Sequence, residues 1–541
     1  MRPRDPAALA DGVHDLLVIG GGVYGLTVAA DAASRGLSVA LIDAGDFGAA
    51  TSFNHQKTVH GGLRALQKLR VDRARESIRE RRALARIAPR LLRTLPFIVG
   101  TYRSVLENRL AIRAAFQIDK WLGRRRNEGV EPELRLPEPR LESRAATLKL
   151  FPGIRPQGLT GGAMWYDYQM VEAERLTIAF AEAADAGGAR LANYVEAIAP
   201  LRQDRSIAGM RVRDQLTGAE YDVRGRLTIN AAGQRAGEMM RLFGVQRDVP
   251  LLLAINVVTS KPASDLAMAA PGGDGRMLTL VPWRGKALIG TGQSDDFRSA
   301  TGTPTVTRAE LDAFVASANT AFPALRLTTG DIRLVHRGLV PATRGRGGRA
   351  ELLPAPLILD HAEHSAPGAM TVVGVKYTTA RGVAASVVTR AAKRLGKPVP
   401  PSQTDHRILP GAGIADHEAL SVETARAVGL ELAPPLIRHL IGVYGDRCVP
   451  IIRLMAERTD WRMPLVAGQP QVGAEVVHTI RNEMACTLAD IVIRRTQIGS
   501  TGHPGAAIVD AIATVAAEEL GWDADRRTKE IAAVDAFYAL P

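Results

Sequence analysis

The stretch from Asp15 to Asp43, D-L-L-V-I-G-G-G-V-Y-G-L-T-V-A-A-D-A-A-S-R-G-L-S-V-A-L-I-D, constrains this chain more than any other. The apolar run Leu16 to Ile19 is short, rich in β-formers and ends in glycine, which predicts a buried parallel strand. Gly20, Gly22 and Gly25 then fall in G-x-G-x-x-G spacing. An alanine-rich segment of helix length, Val23 to Arg35, is closed by Gly36, and a second apolar run, Leu37 to Ile42, ends in Asp43. Together these predict a β-α-β unit built to hold a dinucleotide. Gly20 permits the tight turn, Gly22 lets the backbone approach a pyrophosphate, and Gly25 lets the helix pack closely on the strand. The unpaired N–H groups at the helix start face the anion. Asp43 lies where a carboxylate accepts from a ribose hydroxyl.

At 541 residues the chain exceeds a single core, so two or three domains are expected. Two cysteines, Cys448 and Cys486, make neither a disulfide framework nor a metal cluster, and reduced thiols of an intracellular protein are expected; no metal site is. The first residues lack the apolar core of a secretory signal. No run of eighteen apolar residues suggests a membrane-spanning helix. The net charge of +13 is local: residues 57–126 hold 19 Lys and Arg against 5 Asp and Glu, and the remainder is close to neutral.

Residues 66–90 read as a surface helix with i,i+3 pairs such as Asp72–Arg75 and Glu76–Arg79. In residues 91–126, Leu106, Leu110, Phe116, Ile118, Trp121 and Leu122 are interleaved with Arg103, Arg109, Arg113, Lys120 and Arg124 to Arg126. This reads as a basic amphipathic helix, suited either to an anionic membrane surface or to a solvated face packed on the domain. Nucleic acid would fit the charge, but no nucleic-acid motif accompanies it, and none is expected as partner. Strands are expected near 251–258, 277–282 and 287–291, a helix over Ala380–Leu395, a proline-rich linker at 397–404, and helices beyond 405.

The loop after Asp43 carries D-F-x-x-x-T-S and then K-x-x-H-G-G-L-R-x-L. With the β-α-β unit, it resembles the FAD-dependent glycerol-3-phosphate dehydrogenase family, of the D-amino-acid oxidase-like flavoproteins. In that family the loop wraps the flavin ring and has the form T-S-S-x-S-S-K-L-I-H-G-G-x-R-Y-L. Thr51, Ser52, Lys57, His60, Gly61, Gly62 and Arg64 match; Phe53, Asn54, His55 and Gln56 replace the serine-rich centre, and Ala65 replaces the tyrosine. Further along, N-A-A-G, with Ala231 and Gly233, resembles the second glycine turn over the adenosine half. T-V-V-G-V-K-Y-T-T-A-R resembles the family's G-G-K-L-T-T-Y-R, so Gly374, Lys376, Thr378 and Thr379 carry over. Asp167, Glu172, Arg175 and Leu176 correspond to the acid and R-L pair that start a family helix. Near the end, E-M-A-C-T-L-A-D-I-V-I-R-R-T is similar to the family's C-terminal helical domain.

The resemblance implies an α/β plus α architecture: a Rossmann-like FAD-binding domain (14–90, 155–250 and 335–400), an interleaved antiparallel substrate domain (251–334), a basic amphipathic insert (91–126) and a C-terminal helical domain (405–541). It implies FAD as cofactor, an alcohol as substrate, quinone or oxygen as electron acceptor, and a cytoplasmic protein peripheral on the inner face of the membrane; a homodimer is also expected.

Oxidation of a secondary alcohol by flavin needs hydride delivery and removal of the hydroxyl proton. His60 is the best-placed titratable group, as the base or as a hydrogen bond across the loop. Lys57 or Lys376 is a candidate to neutralise the reduced flavin, and His55, without family counterpart, a candidate to reach substrate. The family binds phosphate with two arginines, a histidine and a lysine. Arg64 and Lys376 remain here, whereas Val340 stands at the second arginine and Ile255 or Asn256 at the histidine, with Arg337 and Arg344 nearby in sequence. These replacements favour a related polyol phosphate or a larger alcohol over sn-glycerol 3-phosphate, which stays open as substrate. A flavin oxidase acting on an amine or hydroxy acid, and a non-catalytic flavoprotein or membrane adaptor, stay open.

Overall fold

The computed structural model describes residues 1–541 except 64–65, 67–69, 104–107, 301, 303, 346–349, 364–365 and 415. Its first sheet is built on parallel strands Val13–Ile19, Val39–Ile42, Arg190–Ala192, Glu220–Asn230 and Ala369–Val373. Val13–Ile19 lies at the centre, with Leu16 opposite Val39 on one side and Leu17 opposite Thr228 on the other. Leu357–Asp360 closes one edge antiparallel. The inner strands are buried on both faces, which explains their continuous apolar runs. Helix Val23–Ser34 is alanine-rich because it is sandwiched: Ala29, Ala30, Ala32 and Ala33 are buried where helices Ala173–Ala186 and Ala380–Leu395 pack against it. The latter helix has the bounds expected from sequence.

Among the described residues the second sheet has ten strands, antiparallel except where Ala267–Pro271 runs parallel to Leu92–Tyr102. One face places Val258, Val281, Leu288 and Leu334 in the core shared with the first sheet. The other places Leu253, Val257, Val335 and Leu339 in a second core with Leu311 and Phe314 of helix Arg308–Ala321. Residues 251–334 are therefore only part of this sheet: Thr58–Val59, Leu92–Tyr102, Arg140–Glu142, Leu159–Met170, Ile332–Arg344 and Ala350–Leu352 complete it.

Two expectations in the basic region need correction. Residues 92–102 form a strand, paired along its length with Leu159–Met170, so 91–126 is not an inserted helix. Burial along L-R-T-L-P-F-I-V-G-T-Y does not alternate strictly, since Phe97 and Ile98 are both buried, so the long pairing with Leu159–Met170 and not periodicity makes this run a strand. Among the described residues of 91–126, α-helix is confined to Arg109–Leu122, and the expected contribution of Leu106 lies outside them. Helix Val71–Ile87 is not a surface helix either, since Ala74, Ser77, Ile78, Glu80, Arg81 and Leu84 are buried. Its acids pair differently from the expected register: Arg73 reaches both Asp72 and Glu76, and Glu80 receives Arg381 at 2.7 Å.

The C-terminal helices, from His417–Ala427 to Ala524–Tyr538, share the first core through Val476, Leu488, Ile491 and Val509. Arg495 and Asp46, both fully buried, lie 2.7 Å apart, and Arg494 reaches the same carboxylate at 2.7 Å. Arg175 pairs with Glu483 at 2.6 Å. Breaking such a buried pair by removing one partner costs about 3–5 kcal/mol, so this helical unit is locked onto the first sheet. The linker is pinned as well: Arg35 Nε donates to the carbonyl of Pro400 at 2.8 Å.

Candidate active site

Most cofactor residues named from sequence follow the carboxyl ends of parallel strands, whereas Thr51 and Ser52 lie on the loop after Asp43 and Gly61 and Gly62 follow the antiparallel strand Thr58–Val59. Gly20 to Gly25 follow Ile19, Asp43 follows Ile42, Ala231 and Gly233 follow Asn230, and Gly374 to Thr378 follow Val373. Crevices at such strand ends are where doubly wound sheets bind nucleotides. Gly20 has φ +109°, and a Cβ there would lie 2.5 Å from the Ala231 carbonyl oxygen. A Cβ on Gly25 would overlap the Gly20 carbonyl. The start of helix Val23–Ser34 has no side-chain cap at Gly22. Asp43 accepts from the N–H of Gly21 (2.5 Å) and Gly45 (2.7 Å), and each oxygen keeps a lone pair for a ribose hydroxyl. Burial raises its carboxyl to about 6, against the opposing pull of those two N–H donors. This cradle and donor set fit an adenine dinucleotide.

The loop between Gly45 and Gly62 is tied at both ends. Ser52 Oγ accepts from the Val23 N–H at 2.9 Å, and Thr51 Oγ1 donates to the Leu339 carbonyl at 2.8 Å. Asn54 Oδ1 accepts from the Arg337 N–H at 3.0 Å, so the loop caps the free edge of strand Ile332–Arg344. Lys57 has φ +56° and turns its side chain inward. Its Nζ donates to Glu174 Oε1 (2.6 Å) and the Phe53 carbonyl (2.7 Å) and lies 4.3 Å from the Phe53 ring centre. Its charge is committed to Glu174 in the core, which corrects the expectation that it faces the flavin. His55 Nδ1 accepts from the Lys57 N–H at 2.9 Å and its ring lies 5.0 Å from Tyr377. Burial, reinforced by the Lys57 charge, keeps His55 neutral, well below the usual imidazole range.

His60 is different: its side chain is 49% exposed. Its Nδ1 faces Asp167 Oδ2 at 3.3 Å, its Nε2 lies 2.8 Å from Thr58 Oγ1, and its N–H donates to Thr378 Oγ1 at 3.3 Å. Asp167 is buried on strand Leu159–Met170 and also accepts from the Gly61 N–H (2.7 Å), Trp165 Nε1 (3.3 Å) and Arg81 Nη1. Burial alone would raise its carboxyl, but Arg81 and His60 outweigh it and hold the group below the usual range. Gly61 is required because a Cβ would overlap the Arg81 guanidinium, and Gly62, at φ +84°, packs on Ser77. Sequence reasoning noted Asp167 as a matching acid without assigning it to the site, and it missed Arg81 and Thr58. Arg81 carried no signal, being one of many arginines in a basic stretch.

The sheet face toward the loop carries the expected substrate positions. Asn256 is buried, and its Oδ1 accepts from Thr291 Oγ1 at 2.8 Å. His336 sits directly opposite Asn256 on the paired strand, its ring 4.9 Å from Phe53 and both ring nitrogens without a hydrogen-bond partner among the described residues. Burial and the Lys57 charge hold His336 neutral. Val340 is half-buried and has no group that donates to a phosphate. Arg337 cannot stand in for it: regular pairing from Leu251–Pro341 to Val258–Leu334 alternates side chains, so Arg337 points to the opposite face with Val335 and Leu339. Arg344 lies over the Phe297 ring at 5.2 Å. Lys376 is exposed beside the site, its backbone carbonyl accepting from Tyr24 OH at 2.8 Å. Arg64 lies outside the described residues.

The fold and this site define an FAD-dependent oxidoreductase. The family described as FAD dependent oxidoreductase matches residues 15–386, and the C-terminal domain of alpha-glycerophosphate oxidase matches residues 402–527. The chain is 32% identical to a glycerol-3-phosphate dehydrogenase of Mycobacterium leprae, covering 96% of this chain and 87% of that one. It is 31% identical to one of Synechocystis, covering 96% and 95%. The solved glycerol-3-phosphate dehydrogenase from Bacillus halodurans, complexed with FAD, has the same fold, with a TM-score of 0.75, 22% identity, and coverage of 98% of this chain and 96% of that one. The chain belongs to the FAD-dependent glycerol-3-phosphate dehydrogenase family, and FAD is its cofactor.

Proposed function

We propose that this protein oxidises a secondary hydroxyl of a polyol phosphate or larger alcohol, with His60 as the base. The observation that carries the reading is the half-exposed His60 ring backed by the buried Asp167 carboxylate, beside the strand ends that cradle the cofactor. When bound, FAD supplies the hydride acceptor. The chain's own residues then have two tasks: Asp167 orients the ring and Thr378 holds the His60 backbone, with Lys376 exposed nearby. Val340 and Asn256 supply no positive charge where the family motif has an arginine and a histidine. A buried charged contact without its partner typically loses about 2–5 kcal/mol, which argues for a substrate other than sn-glycerol 3-phosphate. The test is anaerobic flavin bleaching against a panel of sn-glycerol 3-phosphate, other polyol phosphates, unphosphorylated alcohols, hydroxy acids and amines. Efficient bleaching by sn-glycerol 3-phosphate at low concentration would reject the altered substrate choice, and bleaching only by amines would reject alcohol oxidation. Oxygen uptake against reduction of a soluble quinone then assigns the acceptor.

A second observation supports docking on an anionic membrane surface. Helix Arg109–Leu122 leaves Leu110 80% exposed and Trp121 61% exposed, with Ile118 also outward, among Arg113, Lys120, Arg124 and Arg125. Ile112 and Phe116 anchor its inner side. An apolar ridge rimmed by cations matches an anionic lipid interface. Among the described residues no helix is long and apolar enough to cross a membrane. Flotation with anionic liposomes is expected at low salt and to weaken at high salt; no binding at either rejects the reading.

A further inference from the structure

Thr58 stands where the family motif K-L-I-H has leucine, and the substitution places a hydroxyl against His60 Nε2. Asp167, ionised and clamped by Arg81 and the Gly61 N–H, offers only acceptor oxygens to Nδ1. The hydrogen of a neutral His60 ring therefore sits on Nδ1, and Nε2 is the acceptor. At 2.8 Å the Thr58 hydroxyl is then the donor to Nε2. Thr58 is buried on the short strand Thr58–Val59, which pairs with the strand carrying Asp167, and its hydroxyl makes no other hydrogen bond among the described residues. One imidazole nitrogen has one lone pair, so Thr58 and a substrate hydroxyl cannot both donate to Nε2. The Thr58 oxygen, in contrast, keeps acceptor capacity of its own.

We infer that Thr58 is a proton relay in the line Thr58–His60–Asp167, which accepts the proton of the substrate hydroxyl while passing its own to His60. The inference rests on the alcohol-oxidation reading above. In this step the substrate O–H bond breaks and a new O–H bond forms at Thr58 Oγ1. The original Thr58 proton moves to His60 Nε2, leaving an imidazolium opposite the Asp167 carboxylate. The substrate carbon loses its hydrogen as hydride to FAD, the oxidant, and its C–O bond becomes C=O. Asp167 is a positioning residue here, acting through the ring it orients.

The test compares Thr58→Val, Thr58→Ser and Asp167→Asn in the FAD-loaded full chain. Thr58→Val is isosteric and is expected to slow anaerobic flavin reduction about 10²-fold with unchanged flavin content, as loss of a proton-transfer group does. Thr58→Ser restores most of that rate. The wild type shows a curved proton inventory in mixed H2O/D2O, from two protons in flight, and Thr58→Val a linear one. Reduction by Thr58→Val as fast as by wild type, or a linear inventory in wild type, overturns the relay. A readout without turnover separates this from failure of the reaction itself: 15N NMR of labelled histidine in the resting protein. An Nε2 resonance that moves in Thr58→Val, and a tautomer change in Asp167→Asn, are expected. If no alcohol bleaches the wild-type flavin, the alcohol-oxidation reading fails, and an Nε2 resonance indifferent to Thr58→Val then overturns the hydrogen-bonded line as well.

Discussion

Lys57 and His60 leave the same loop three residues apart, and each faces a buried carboxylate, but they do opposite things. Lys57 and Glu174 are 1% and 3% exposed and 2.6 Å apart, sealed beneath the Phe53 ring. Neither end is open to a ligand. His60 and Asp167 are 49% and 4% exposed, so one member is buried and the other opens to the site. Burying both members makes a fastener, because removing either leaves an uncompensated charge in a low dielectric. Burying only the acid makes a tool, because the ring stays oriented while its other nitrogen can exchange a proton. The difference shows why a motif match at both positions does not give both residues the same access to a ligand.

The sharpest way to break this contrast is Lys57→Met. It strands Glu174 in the core and is expected to destabilise the fold by about 3–5 kcal/mol, seen as a lower denaturation midpoint. The double variant Lys57→Met/Glu174→Leu should recover much of that loss; if Lys57→Met leaves stability intact, Lys57 is not a fastener. His60→Gln should behave in the opposite way, lowering the rate of flavin reduction about 10²–10⁴-fold while the midpoint barely moves. A large fall in midpoint with His60→Gln would make it structural.

Acid extends the comparison to the deepest fastener. Asp46, despite the raising effect of its burial, is brought down to about 2 by Arg495 and Arg494. Because its folded value lies below its unfolded one, its contribution is fully present above about pH 4 and is lost as pH falls through about 2, worth roughly 2–3 kcal/mol. Stability measured between pH 5 and 2 should fall faster in the wild type than in Asp46→Asn, whose stability is already reduced. Parallel slopes would remove Asp46 from the account. The smallest effect belongs to the loop's edge contact. Asn54→Ala deletes the acceptor for the Arg337 N–H and should cost about 1 kcal/mol, with faster amide exchange at Arg337. Unchanged exchange there would show that the loop does not cap this strand.

Much of the fold was legible because it is local. The run Leu16 to Ile19, the glycine triplet and Asp43 came out as strand, turn, helix and acid, and the helix Ala380–Leu395 had its expected bounds. Residues 92–102 were misread because a basic, apolar-rich run reads as an amphipathic helix until the pairing strand Leu159–Met170 is known. The site was half legible. His60, Gly61 and Thr378 were each named from sequence and the fold brings them together, but Asp167 arrives 106 residues after Gly61 to accept its N–H. Arg81 was one cation among many until a buried acid selected it.

By itself the sequence determined the dinucleotide cradle, because glycine spacing and strand–helix periodicity act within a few residues of each other. It also determined the family, through several non-glycine loop positions that no backbone requirement dictates. Only the tertiary structure decided which charged residues are sealed in the core and which open to solvent. That choice depends on burial and on partners brought together from distant strands, and the energy of a charge changes severalfold between those two environments. It also decided that Arg337 points away from the loop and that Thr58 meets His60, since strand register and sheet pairing set the direction of every side chain on these strands.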